Sequence, residues 1–240
     1  MTATLAGSPE AAARARDWAE IQERMLVPLY ETVYDRLDVS PRTRLLGLGC
    51  GSGLALVLAA GRGALVSGVE NDPDRRALAR ERRLDVRDRP ALPAGSRRPF
   101  TLLTAFGTEG GPPDLSAALP LLERGAAVVL TGWGPPERCT TLALLPPALR
   151  PRGRDVLEKV AQQAGLVPDG SGRVLCPFGY ADLDSAVRGL LSTGLFDAAL
   201  RGSEPPQAEK ELAECLHPHV RPDGTVWMPN VFRYLIARVP

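Results

Sequence analysis

Between Asp17 and Leu37 the apolar residues Trp18, Ile21, Met25, Leu26, Leu29, Tyr30, Val33, Tyr34 and Leu37 recur at intervals of three and four. That spacing predicts an amphipathic helix, bent at Pro28 where the ring removes a backbone donor. Residues 1–16 are rich in Ala and Arg and carry no such stripe, so they read as a flexible, weakly helical N-terminus. A second rhythm begins at Thr43. Short runs at Thr43–Leu48, Leu65–Glu70, Arg83–Arg87, Phe100–Phe106 and Ala126–Gly132 predict strands. Helices are predicted between them at Leu54–Ala60, from Asp72 to Arg82, and over Asp114–Glu123. Asp72 suits an N-cap and Pro73 the first helical position.

Alternation of strand and helix through the first 134 residues implies an α/β fold, a parallel sheet with helices on both faces. A Pro-rich connection, Pro135–Arg152, then leads to a predicted helix at Asp155–Ala164 and a strand at Arg173–Pro177. Helices at Leu183–Ser192 and Gln207–Leu216 and strands at Thr225–Met228 and Phe232–Val239 complete the pattern. Residues 17–240 thus read as a single domain, with 179–222 as a candidate helical cap that shapes a substrate pocket.

Composition narrows the class. A length of 240 residues supports one domain with a full core, and 44% hydrophobic with 24% charged residues is ordinary for a globular protein. The formal net charge is +1 with no long run of one sign, which argues against nucleic acid or an anionic membrane as partner. No apolar run nears the ~18 residues that span a bilayer, and residues 1–20 lack the apolar core of a secretory signal. Cys50, Cys139, Cys176 and Cys215 are widely spaced, as expected of reduced thiols in a cytoplasmic protein, monomeric or homodimeric. The cation content is almost all Arg, with Lys159 and Lys210 alone as lysines, a bias that suits a high-GC bacterial genome.

The chemistry concentrates in Gly47-Leu48-Gly49-Cys50-Gly51-Ser52-Gly53, between a predicted strand and a predicted helix. Glycines there permit a tight turn and close approach of a ligand to the backbone, and the helix N-terminus offers free amides to an anion. A dinucleotide loop wants Gly-x-Gly-x-x-Gly, but Leu54 stands where its third glycine belongs. A P-loop needs a terminal Gly-Lys-Ser/Thr, which is absent. Glu70 ends the second strand, where a carboxylate can accept from both hydroxyls of a ribose. Asp88 follows the third strand, where it can accept from an adenine amino group.

Glycine loop, strand-end Glu and strand-end Asp in that order resemble the class I S-adenosylmethionine-dependent methyltransferases, in particular small stand-alone enzymes of bacterial antibiotic pathways. Asp17-Trp18-Ala19-Glu20-Ile21-Gln22, Ala91-Leu92-Pro93, Leu130-Thr131-Gly132-Trp133-Gly134 and Phe232-Arg233-Tyr234-Leu235-Ile236-Ala237-Arg238 extend the resemblance. It implies a Rossmann-like, seven-stranded sheet whose last strand runs antiparallel, S-adenosyl-L-methionine as cofactor, and methyl transfer to a small molecule of secondary metabolism. It further implies that Gly49, Cys50, Gly51, Ser52 and Gly53 contact the methionine part and Glu70 the ribose. Asn71 then lies against the adenine, Asp88 holds its amino group with Arg89 alongside, and Thr104 and Phe106 border the methyl. Trp18, Gln22 and Tyr30 are candidates for a lid over the cofactor, although such a stripe also suits plain core.

The chain departs from the family at Gly47, where an acid usually orients the methionine amine, and in a short, glycine-rich stretch after Phe106. These departures motivate an alternative: a methyltransferase-like protein that binds S-adenosylmethionine or S-adenosylhomocysteine but catalyses another step, such as a cyclisation, or none. An NAD-dependent reductase is the remaining reading. Candidate bases for an acceptor proton are His217, His219, Glu109 and Tyr180. Cys215-Leu216-His217-Pro218-His219 invites a metal site, but Pro218 holds an extended link and no fourth ligand is evident, so no metal is expected. Cys50 reads as a small filler of the loop.

Overall fold

The computed structural model describes residues 7–95, 97–107, 113–150, 155–201 and 204–240. Its strands are β1 (Arg44–Leu48), β2 (Leu65–Val69), β3 (Val86–Arg87), β4 (Phe100–Ala105), β5 (Leu122–Trp133), β6 (Val167–Leu175), β7 (Phe178–Tyr180), β8 (Val226–Met228) and β9 (Val231–Arg238). Helices are α1 (Pro9–Asp17), α2 (Val27–Arg36), α3 (Leu54–Gly61), α4 (Pro73–Glu81), α5 (Thr140–Ala143), α6 (Val156–Gln163), α7 (Leu183–Ser192) and α8 (Pro205–Leu216). Seven strands form one sheet in the order β3-β2-β1-β4-β5-β9-β6, and β9 runs antiparallel to both its neighbours. β1 through β5 pair in parallel.

Alternation along β1 explains the two layers. Leu45 packs into the core on one face with α2 and α3, while Leu46 and Leu48 pack on the other with Leu157 and Ala161 of α6. Strand order reverses between β1 and β4, so the connections after them diverge and leave a crevice at their carboxyl ends. The glycine loop lies there. α4 begins where expected: the Asp72 side chain accepts from the Asp74 and Arg75 amides at 2.9 Å, and Pro73 opens the helix.

Three expectations fail for identifiable reasons. The segment expected to fray forms α1 over Pro9–Asp17, capped by Ser8, with Ala15 buried. Its packing is tertiary, against α4 and α7, with Arg14 paired to Asp197 at 2.6 Å. Asp17–Leu37 is not one bent helix. A π turn at Trp18–Gln22 and a 3-10 turn at Glu23–Leu26 precede α2, which starts beside Pro28. The predicted helix at Asp114–Glu123 is a turn followed by a 3-10 segment at Leu119–Leu121, because Pro120 cannot supply the amide an α-helix needs there. β5 then starts earlier than its apolar run, at Leu122.

β7 and β8 pair antiparallel and so bracket the segment containing α7 and α8. α7 packs against α1 and the π turn rather than over the sheet. No helix among the described residues is long and apolar enough to cross a membrane.

Candidate active site

Three glycines of the loop, Gly49 (φ 58°), Gly51 (φ 58°) and Gly53 (φ 88°), occupy the left-handed region that disfavours side chains. Their turn is anchored by the Cys50 amide, which donates to the Val69 carbonyl at 3.0 Å. Glu70, buried at the end of β2, accepts through Oε2 from the Gly51 amide at 2.7 Å and through Oε1 from the Asp72 amide at 2.9 Å. The strand-end carboxylate therefore clamps the glycine loop to the start of α4.

A second carboxylate, absent from the sequence reading, reaches the loop from the other side. Glu23 is 1% exposed. Its Oε1 accepts from the Leu54 amide at 3.2 Å, and its Oε2 accepts from the Ser52 hydroxyl and from Arg82 at 3.1 Å. Burial pushes its carboxyl above the ordinary value, while the Ser52 hydroxyl and the Arg82 guanidinium pull it back. The π turn explains why periodicity missed it. The Glu23 amide bonds to the Trp18 carbonyl five residues back, so the turn shifts the helical phase and rotates Glu23 inward. A sequence read at 3.6 residues per turn carries no sign of that shift.

Trp18 completes this wall. Its indole is 6% exposed, the Arg75 guanidinium stacks 4.4 Å from the ring centroid, and its Nε1 has no hydrogen-bond partner. A Cβ built on Gly51 would lie 2.7 Å from Trp18 Nε1 and 3.0 Å from Glu23 Oε1. The N-terminal segment therefore rests directly on the loop, and a nucleoside seated there requires it to move outward.

A small cavity of about 20 Å³, room for little more than a water molecule, lies between these residues and the ends of β1 and β4. Trp18, Tyr30, Gly49, Cys50, Gly51, Thr104 and Phe106 line it. The Tyr30 and Phe106 rings stand 4.8 Å apart, and burial pushes the Tyr30 hydroxyl and the Cys50 thiol well above their ordinary values. Neither is an ionised nucleophile at neutral pH. A wider depression beyond Gly51 is bordered by Glu70, Asn71 and Arg75 on the sheet side and by Ser8 and Arg14 on the N-terminal side.

The remaining predicted residues are scattered. Gln22 faces away from the cavity and accepts at 2.8 Å from the hydroxyl of Tyr180, which is itself buried and pushed far above its ordinary value. Tyr180 is thus a fixed donor, unsuited to general-base work and outside both cavities. Asp88 follows β3 but is exposed, as is Arg89 3.9 Å away. His217 and His219 lie in a 3-10 turn after α8 and line neither cavity. Glu109 falls outside the described residues. Among those described, no group of three or more His, Cys, Asp or Glu is placed to hold a metal ion.

Sheet order, antiparallel final strand and a glycine loop at the carboxyl ends together define a Rossmann-like class I methyltransferase fold. Solved structures carry the same fold. YjhP from E. coli covers 98% of this chain and 99% of its own at 17% identity, with a TM-score of 0.54. A candidate methyltransferase from Bacillus halodurans aligns with 88% of this chain and 98% of its own at 13% identity, also with a TM-score of 0.54. The cyclase SpnF, at 20% identity, aligns with 88% of this chain and 80% of its own, with a TM-score of 0.51. No family model matches the chain, and no curated protein matches it in sequence.

Proposed function

We propose that this protein binds S-adenosylmethionine in the crevice above β1, β2 and β4 and transfers its methyl group to a small secondary metabolite. The observation that supports this most directly is the buried Glu70 clamp: a strand-end carboxylate bonded across a loop of three left-handed glycines. The chemistry of the residues suits the cofactor once the N-terminal segment moves outward: Gly51 carries no side chain under Trp18 and Glu23, and Trp18 Nε1 is a buried donor without a partner.

Bound there, the cofactor supplies a methyl group on a sulfonium leaving group. Glu70 exchanges its backbone partners for the ribose hydroxyls, and Asn71 borders the adenine. Asp88, exposed in this conformation, folds over to accept from the adenine amino group. Thr104 and Phe106, both buried at the end of β4, border the reacting methyl and exclude water from it. Alignment of donor with acceptor is then the protein's main contribution. Glu23, the carboxylate among the described lining residues, is tied to Ser52, Leu54 and Arg82, so an acceptor that is already nucleophilic suits this site best.

The test combines calorimetry against S-adenosylmethionine, S-adenosylhomocysteine and NAD with label transfer from methyl-labelled cofactor to candidate acceptors. Binding of both adenosyl compounds, lost in Glu70→Ala and weakened in Asp88→Ala, is expected. Unchanged binding in both variants, or a preference for NAD, sinks the reading. Binding without label transfer across acceptors favours the second reading, a cofactor-binding protein with another reaction or none. Gly47, where the family's acid is missing, is the observation behind that alternative.

A further inference from the structure

The cavity above the glycine loop has an unusual charge inventory. Among the described residues no Lys, Arg or His lines it, and Glu23 is its carboxylate. The donors at the start of α3 that could hold a ligand's carboxylate, the Leu54 amide and the Ser52 hydroxyl, are already taken by Glu23. Glu23 is not saturated in return. A carboxylate offers about four acceptor positions, and Oε1 uses one of its two on Leu54 while facing Gly51. Beside it Trp18 Nε1 is a buried donor with no acceptor. One spare acceptor on an acid and one unused donor thus stand side by side over the same bare glycine.

Gly47 sharpens the point. A Cβ there would meet Leu56 Cδ2 at 3.0 Å, so the strand end has no room for an acid unless Leu56 moves. Any anionic partner for a ligand cation in this cavity must come from outside β1, and among the lining residues Glu23 is that group.

We propose that Glu23 and Trp18 form a receptor for an α-amino-acid zwitterion, with Glu23 Oε1 accepting from the ammonium and Trp18 Nε1 donating to the carboxylate. This inference rests on the cofactor reading above and assigns the methionine end of the ligand to two residues of the N-terminal segment. Each half satisfies a group that the protein leaves short: the ammonium adds a counter-charge to a buried carboxylate, and the ligand carboxylate gives the indole its acceptor. Because both residues sit on a segment that must move outward to admit the ligand, recognition of the amino-acid end and reclosure become one event.

The experiment compares two neutral thioethers by titration calorimetry on the full chain. S-adenosylhomocysteine carries the amino-acid end, and 5′-methylthioadenosine lacks it. Glu23→Gln, nearly isosteric, is expected to weaken S-adenosylhomocysteine by about 10- to 100-fold, the range for a hydrogen bond to a charged group. Trp18→Phe, which keeps the ring and deletes the donor, weakens it in the same sense. Neither change alters 5′-methylthioadenosine. A purely structural role for the two residues shifts both ligands alike and overturns the proposal, as does unchanged S-adenosylhomocysteine affinity in the two variants. Should Glu23→Gln not fold, Trp18→Phe decides alone. Failure of the wild-type protein to bind either thioether removes the cofactor reading and this inference with it; intact thioether binding that is insensitive to both substitutions removes only this inference.

Discussion

Gly49 and Gly51 have the same backbone angle, φ 58°, and different surroundings, so alanine at each separates strain from crowding. Left-handed backbone costs an L-residue about 1–2 kcal/mol. At Gly49 nothing lies within 4 Å of the added Cβ, so Gly49→Ala carries that strain alone. At Gly51 the Cβ would press to 2.7 Å from Trp18 Nε1, 3.0 Å from Glu23 Oε1 and 3.4 Å from Trp18 Cε2. These are not free side-chain ends. Trp18 is stacked under Arg75, and Glu23 is bonded to Ser52, Leu54 and Arg82. Overpacking of this kind costs about 1–3 kcal/mol more. Gly51→Ala should therefore destabilise by about 2–5 kcal/mol against about 1–2 for Gly49→Ala. Urea denaturation followed by circular dichroism measures both, given equal slopes. In thermal melts each kcal/mol shifts the midpoint by about 2–4 °C at this chain length. Trp18→Ala in the Gly51→Ala background should recover much of the excess, a coupling that a double-mutant cycle reads directly. Equal midpoints for the two glycine variants, or no recovery, would refute the claim that the N-terminal segment rests on the loop.

Two further outcomes are expected. Glu70→Gln retains one acceptor but turns an amide group toward a backbone N–H, so it should cost about 1.5–3 kcal/mol by denaturation, with the far-ultraviolet spectrum intact; unaltered stability would mean the clamp is not formed in solution. Glu23 has a folded-state pKa raised by burial above its ordinary 4.5. The folded state therefore binds the proton more tightly than the unfolded chain, and the stabilisation is fully present below 4.5 and lost as pH rises through the folded value. Denaturation midpoints on both sides of that value should show wild-type stability declining relative to Glu23→Gln as pH rises, and parallel profiles would sink the assignment.

Much of the sheet was legible in the sequence because its strands state their own burial. Leu45, Leu46 and Leu48, or Val128 to Leu130, can be satisfied only inside a sheet covered on both faces, and the intervening turn residues mark where helices begin. Asp72-Pro73 specifies the start of α4 by local hydrogen bonding and a fixed φ, with no distant help. Glu70 is legible for the same reason, as a polar residue closing an apolar run. The last strand is different in kind, since its antiparallel direction comes from the resemblance and not from its own pattern.

Tertiary structure alone decided the rest. α1 has no apolar stripe and exists because α4 and α7 receive it, a contact between segments more than 50 residues apart that no local period encodes. Glu23 enters the site through a single extra residue in the π turn, which shifts the phase of everything after it and turns an apparently solvated acid into a buried one. Exposure of Asp88 and the turning away of Gln22 toward Tyr180 are likewise products of packing. Local propensity can say which residue types meet a ligand, but where a side chain points depends on helix phase and on neighbours brought from elsewhere in the chain.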